Sequence, residues 1–403
     1  MKKIYLPILT ILFVFTACND SANQEELDNS STECVGDIIL TSQNEINEFG
    51  NSGCTKINGS LLIKDNDEFE PTDLTDIVDL TPLNNLSEIT EGLSIVFNDK
   101  LISLNGLNNL IKVGALNIFS NNNLVHIDGF DSLISVNNGM SIDSNIALED
   151  INSFNNLNTI NSYLHIDFNH NLDKISGFNN LQELNGFLSL RSNLELTEID
   201  GFSELQVIKG YLYIGGNTLL NNINGFSNLN DIQGHLNIDT NNSLTNLDGL
   251  ENLTSISGDL TIGKFSGNDL LINITGLGNL SNVGGNIYIG QNDSLLSLNG
   301  LNNLTSTNEF EIQYNDSLIS LDGLNNLISV NGNLNIGSNN NLTDINGLSS
   351  LEVVSENLGF HWNLSLKNFC PLTGFILNGN IFGTHGNGYN PSFNDIVNGN
   401  CSI

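Results

Sequence analysis

The sequence predicts an all-β parallel solenoid of about 13 coils, each of ~24 residues, closed at both ends by disulfide loops. Three observations predict it. An asparagine returns at a near-constant interval, an L-x-I pattern ends three places before it, and two cysteine pairs flank the repeat. The recurring residues are Asn66, Asn98, Asn121, Asn145, Asn169, Asn193, Asn217, Asn241, Asn268, Asn292, Asn315, Asn339 and Asn363. Most successive gaps are 24, with 32 after Asn66 and 27 after Asn241.

One unit runs from Phe226 to Gly249, and its internal periods justify each part. Leu236 and Ile238 alternate with period two, so both face one side of a strand and Asn237 the other. Phe226, Leu229 and Ile232 are three apart, but Asn, Ser and Gly between them make a stable helix unfavourable. A tight extended or 3₁₀-like arc fits better. Stacking such units in parallel places every apolar residue on its copy, with Phe130, Phe154, Phe178, Phe202 and Phe226 at one corner. An inward asparagine then satisfies buried backbone groups where each strand ends, and each such group left unpaired would cost ~1–3 kcal/mol. A second polar column (Asn105, Asp128, Asn152, Asp200, Asn224, Asp248, Asn299, Asp322, Asn346) is expected to close another turn. The glycine that follows allows positive φ or close approach, with Pro82 and Ser153 as substitutes.

Composition narrows the function. The 403 residues carry 45 acids against 11 basic groups, a formal charge of −34, so no basic stripe exists to bind nucleic acid. Charged residues make up only 14%, and 73 asparagines supply the polar surface instead.

The N-terminus reads as a targeting signal. Lys2 and Lys3 precede an apolar run from Ile4 to Phe15, and residues 1–17 have the layout of a secretory signal peptide. The run ends on Cys18 in a pattern that resembles the lipobox of bacterial lipoproteins, which implies diacylation of Cys18. Residues 18–33 form a Ser/Asn-rich acidic tether, and the folded region spans 34–403, with caps at 34–60 and 366–403. The acids after Cys18 resemble the export signal of Bacteroidota surface lipoproteins. The expectation is a bacterial protein at the outer membrane, lipid-anchored on the cell surface, touching the membrane only through that lipid.

Cys34, Cys54, Cys370 and Cys401 allow three pairings, and their spacing suggests two local ones, Cys34 with Cys54 and Cys370 with Cys401. Export favours disulfides, and solenoid ends need caps. No C-x-x-C occurs, so a structural zinc is not expected.

The unit I-x-G-x-L-x-I-x-x-N-x-x-L-x-x-I-x-G-[FL]-x-x-L resembles the receptor L-domain, a leucine-rich-repeat-like right-handed β-helix. The opening Cys54-Thr-Lys-Ile57-Asn-Gly59-Ser-Leu61-Leu-Ile63 resembles that family's first strand. The segment Asn387 to Cys401 resembles the C-terminal part of its bacterial members. The resemblance covers 34–403 and implies a binding module. It departs from receptor L-domains in having about twice the coils.

A ligand would first meet the outward strand positions, where Tyr163, His165, Phe187, Tyr211, Tyr213, His235, Tyr288 and Phe310 are read as one exposed face. Rings on a rigid surface suit a protein hot spot or a sugar, although cross-strand pairs also stabilise sheets. The acidic insertion 65–79 lacks the EF-hand spacing and reads as a solvated loop, and the insertion at 263–267 as a small bulge. No nucleophile elbow, H-E-x-x-H or P-loop occurs, so no catalytic residue, metal site or cofactor is assigned. The leading expectation is a monomeric, non-enzymatic surface lipoprotein that binds an unidentified protein or glycan. A structural envelope or biofilm component without a specific ligand is the alternative, and a β-helix polysaccharide-active enzyme the minor one.

Overall fold

The computed structural model describes residues 33–65, 76–375 and 381–403. The signal segment, Cys18, nearly all of the tether, Asn66 and most of the acidic insertion lie outside the described residues.

The chain winds as a parallel β solenoid of about 14 turns. Its main ladder runs in register, for example Leu164 on Leu188, Leu212, Leu236 and Leu260, with the outward residues equally aligned. A second ladder of two-residue strands, such as Asp231–Ile232 on Ser255–Ile256, lies just before it in each coil. Between strands the chain makes tight turns and, at several corners, single 3₁₀ turns such as Asn224–Phe226, as the three-residue spacing predicts. The five corner phenylalanines are fully buried and stack at 5.1–5.5 Å between centroids. Each such contact adds about 0.5–1.5 kcal/mol beyond area burial.

The asparagine column is the spine of the fold. Asn169 shows its pattern: Nδ2 donates to the Ile142 carbonyl of the preceding coil at 2.8 Å, and the backbone N–H donates to Asn193 Oδ1 at 3.0 Å. Its own Oδ1 accepts from the Asn145 N–H at 3.0 Å. From Asn98 to Asn363 these side chains are buried, and the column extends one turn further than the repeat suggested. Asn387 joins it, and Asn390 terminates it by accepting at 3.0 Å from the Asn387 N–H. Asn387 escaped notice because its strand, Phe382–His385, lacks the L-x-I pattern.

Each buried asparagine follows a residue in the left-handed region. Ser120, Ser144, Ser192 and Ser338 sit at φ 51–59°, and so do larger side chains such as Phe168, Tyr314 and Trp362 at φ 58–61°. At the glycine corner three solutions occur, and Gly225, Gly276 and Gly347 lie within 3₁₀ turns without positive φ. Gly106, Gly129, Gly249, Gly300 and Gly323 take positive φ themselves, whereas after Gly177 and Gly201 the left-handed residue is the following Phe178 or Phe202. A Cβ at Gly177 would collide with the Ser153 carbonyl oxygen, so close approach explains that glycine.

The second polar column does not close its turn as expected. The turn is closed two residues earlier, by Asp79, Asn222, Asn246 and Asp344, whose side-chain oxygens accept the N–H two places on at 2.7–2.9 Å. An Asx-type turn needs that local geometry. Asp128 differs again, accepting from the Leu104 N–H of the coil before at 2.6 Å. A separate surface row explains more of the asparagine content: the Nδ2 groups of Asn156, Asn228, Asn252, Asn303 and Asn326 each donate to a carbonyl of the preceding coil at 2.6–2.8 Å.

Both ends are covered. Helix α1 (Gln43–Gly50), capped by Ser42, buries Ile46 over the first coils. Helix α2 (Phe393–Val397), with a Ser392/Asp395 capping box, buries Ile396 at the other end. Disulfides join Cys34 to Cys54 and Cys370 to Cys401 within these caps. Among the described residues no helix is long and apolar enough to cross a membrane.

Candidate ligand-binding site

Three coils in succession place an aromatic ring just before the first inward residue of the strand. Tyr163 and Phe187 stack at 5.4 Å, and Phe187 and Tyr211 at 4.4 Å, with planes within 14° of parallel. His165 meets Tyr163 and Phe187 edge-on at 5.1 and 4.9 Å. The coil below has Gly139 at the start of this column, and a Cβ there would collide with the Tyr163 ring.

The row continues into a groove of about 320 Å³. Tyr211, Tyr213, His235 and Asn237 form one side, and Lys264 and Phe265 the other. The second wall is the 263–267 bulge, the extra three residues behind the 27-residue gap. It is held by the Phe265 N–H donating to buried Asp239 at 3.0 Å, and Gly263 and Gly267 turn it at φ +74°. The sequence reading gave this insertion no role. Phe265 stands 69% exposed on its rim. His235 Nδ1 lies 2.8 Å from the Asp259 N–H, which holds the ring in place.

The structure thus brings together Tyr163, His165, Phe187, Tyr211, Tyr213 and His235. Tyr288 stands apart, three coils beyond Tyr213, where its hydroxyl accepts from Gln313 Nε2 at 3.3 Å. Phe310 is a correction: it points inward and is 1% exposed, paired with Ile287 in the core column. Its unit is one residue short, and Phe310-x-Ile312 there plays the part of L-x-I.

Beneath the stacked rings lies a polar network that sequence reasoning missed. Asp167 is 6% exposed and accepts from Ser189 Oγ at 2.9 Å and from the Arg191 N–H at 2.8 Å. His165 Nδ1 lies 3.3 Å from the other Asp167 oxygen. Asp143 accepts from the Asp167 N–H at 3.1 Å and from Ser141 Oγ. Burial pushes the Asp143 carboxyl up, opposed by the Ser141 hydrogen bond and reinforced by the charge of Asp167. Burial lowers His165, yet its bond to Asp167 and the charges of Asp167 and Asp143 together leave it raised. Burial, then the nearby aspartates, raise the Tyr163, Tyr211 and Tyr213 hydroxyls. The signal for this network was available, since aspartate follows the second inward strand residue at Asp143 (after Met140-Ser-Ile142) and at Asp167 (after Leu164-His-Ile166).

Among the described residues, Asp143, His165 and Asp167 are a trio whose possible metal-ligating atoms lie within 4.8 Å of one another. Protein donors already engage both carboxylates, so the trio acts as a hydrogen-bonded seat for His165.

Searches of the curated proteins and of the solved structures gave no match. Residues 206–299, which hold both walls of the groove, match the model of the family described as Receptor L domain, and this stretch of the solenoid is therefore receptor L-domain-like.

Proposed function

We propose that the protein is a non-enzymatic binding module in which a rigid solenoid presents the Tyr163–Phe187–Tyr211 stack and its adjoining groove to a protein partner. The observation that carries this reading is the stack itself. Its rings cover one another's faces, so they offer edges and hydroxyls, which suit the aromatic and polar contacts of a protein hot spot better than the open faces a sugar needs. In-register strands hold the side chains before a ligand arrives, so little conformational entropy is lost on binding. The family match over the groove supports a binding role for this part of the chain. The N-terminal pattern supports the remainder: Cys18 carries the lipid, residues 19–33 act as a spacer, and a single copy faces outward from a bacterial outer membrane.

The test is a cross-linking pulldown from envelope extracts with the lipid-free protein, alongside Tyr211→Ala/Tyr213→Ala. Removing the two rings where the stack meets the groove should weaken capture of the specific partner at least tenfold, since hot-spot truncations cost ~2 kcal/mol or more. Equal capture by both forms would refute the site. Binding to a glycan array that is lost with the same two rings would transfer the site to a sugar.

A further inference from the structure

A second open groove, of about 650 Å³, runs along the turn that follows the strands, on later coils than the stack. Tyr314, Ser338 and Trp362 occupy the left-handed position of three consecutive coils, at φ 58°, 54° and 61°. Asp293, Asp316 and Asn340 stand two places after the left-handed residues Gln291, Tyr314 and Ser338 of successive coils.

Local packing does not account for both rings: Trp362 lies over Gly386, where a Cβ would meet its ring, and Tyr314 has no such seat among the described residues. Small residues fill this strained register in eight coils, with serine in four, glycine at Gly216, Gly267 and Gly386, and threonine at Thr240. The other large side chains there are Gln291, Phe97, which packs edge-on against Phe119 at 5.3 Å, and Phe168, which lies under Arg191 at 5.6 Å. A bulky side chain at positive φ is an outlier that persists where something other than local preference keeps it. Burial does not keep it, because Tyr314 is 51% and Trp362 56% exposed. Ring packing explains little, since Trp362 makes one edge contact, with His385 at 5.7 Å, and Tyr314 has no ring contact among the described residues. Both differ in this from the face-to-face stack of the first site.

We infer that this groove binds an oligosaccharide free of acidic groups, with Tyr314 and Trp362 as stacking platforms and the Asp293 and Asp316 carboxylates as acceptors for sugar hydroxyls. Two coils separate the platforms, about 9–10 Å at the inter-strand spacing, which suits two pyranose units along a linear chain. Charge selects the ligand: no lining residue is basic, so sulfated, phosphorylated or uronic sugars would be repelled. Burial, followed by the charges of Asp316 and Asp269, raises the Asp293 carboxyl, so neutral hydroxyl donors or an amino group would relieve it. The only group of three potential metal ligands within 4.8 Å found among the described residues lies at Asp143, His165 and Asp167, so these aspartates are not gathered as a chelate.

Trp362 is the single tryptophan of the chain, so its emission reports this groove directly. The experiment titrates the full chain with chito-, manno- and gluco-oligosaccharides, and with oligolysine as the basic-peptide control. A saturable emission change with at least one sugar is expected, weakened at least tenfold in Tyr314→Ser. That variant should melt at the wild-type temperature or above, because serine is native to this register; a purely structural tyrosine would lower it. Tyr211→Ala/Tyr213→Ala should leave the response intact, which separates this site from the first. No saturable response to any sugar, a response to oligolysine alone, or wild-type affinity in Tyr314→Ser would overturn the assignment.

Discussion

Asn169 shows how much one side chain carries. It serves a carbonyl below it, and its Oδ1 serves a backbone N–H, all inside a fully buried column. Asn169→Ala would leave both groups without partners. At ~1–3 kcal/mol per orphaned buried group the loss should be about 3 kcal/mol, read as a lower urea midpoint. His165 makes a second residue-scale prediction. Its pKa lies above the ordinary 6.5, and that of Asp143 above the ordinary 3.8, so the folded state favours the protonated form of each. The His165 contribution is therefore complete below pH 6.5 and is lost as pH rises through its folded value. Asp143 behaves likewise from pH 3.8 upward, opposite to a salt-bridged carboxylate. Melting temperature should fall with rising pH across these windows, and His165→Gln should flatten the upper part. The asparagines were legible in the sequence because they alone recur without exception. The left-handed residue before each was not, because Phe, Ser, Thr, Gln, Tyr and Trp all occupy it and no common chemistry marks it.

At the scale of elements, the strands were legible from L-x-I, the corners from glycine and the disulfide-closed ends from the cysteine pairs, whereas the capping helices and the bulge were not. Helix α1 offers one buried apolar residue, Ile46, in eight positions, too little periodicity to stand out. The bulge became meaningful only when neighbouring coils set Phe265 opposite Tyr211 and Tyr213. The misread polar column has a related cause: with so many asparagines, two turn-closing positions two residues apart look alike until the hydrogen bonds are drawn. The caps yield the prediction at this scale. Replacing Cys370 and Cys401 together by serine removes a bridge spanning 31 residues, worth ~3–4 kcal/mol in the chain-entropy account. Because each coil leans mainly on its neighbours, the loss should stay local. Hydrogen exchange should quicken over residues 381–403 and remain slow over 140–262.

For the whole molecule, the solenoid architecture was readable from periodicity alone, since each coil repeats the chemistry of the last. Function was less readable, because it resides where the coils differ. The ring stack, the bulge wall and the exposed Tyr314 and Trp362 are departures from the repeat, and a consensus hides departures. Phe310 shows the reverse error: an aromatic that looked like such a departure was only the repeat shifted by one residue.

The in-register amide spine also makes the protein a string of interchangeable cassettes. Residues 170–193 begin and end at equivalent points, and Asn169 and Asn193 donate alike to the coil above and reach alike to the coil below. Excising or duplicating a 24-residue block that lies between the two sites would leave the amide spine matched at its junctions. The distance between the ring stack and the sugar groove could thus lengthen or shorten by whole rungs while both extremities stayed as they are.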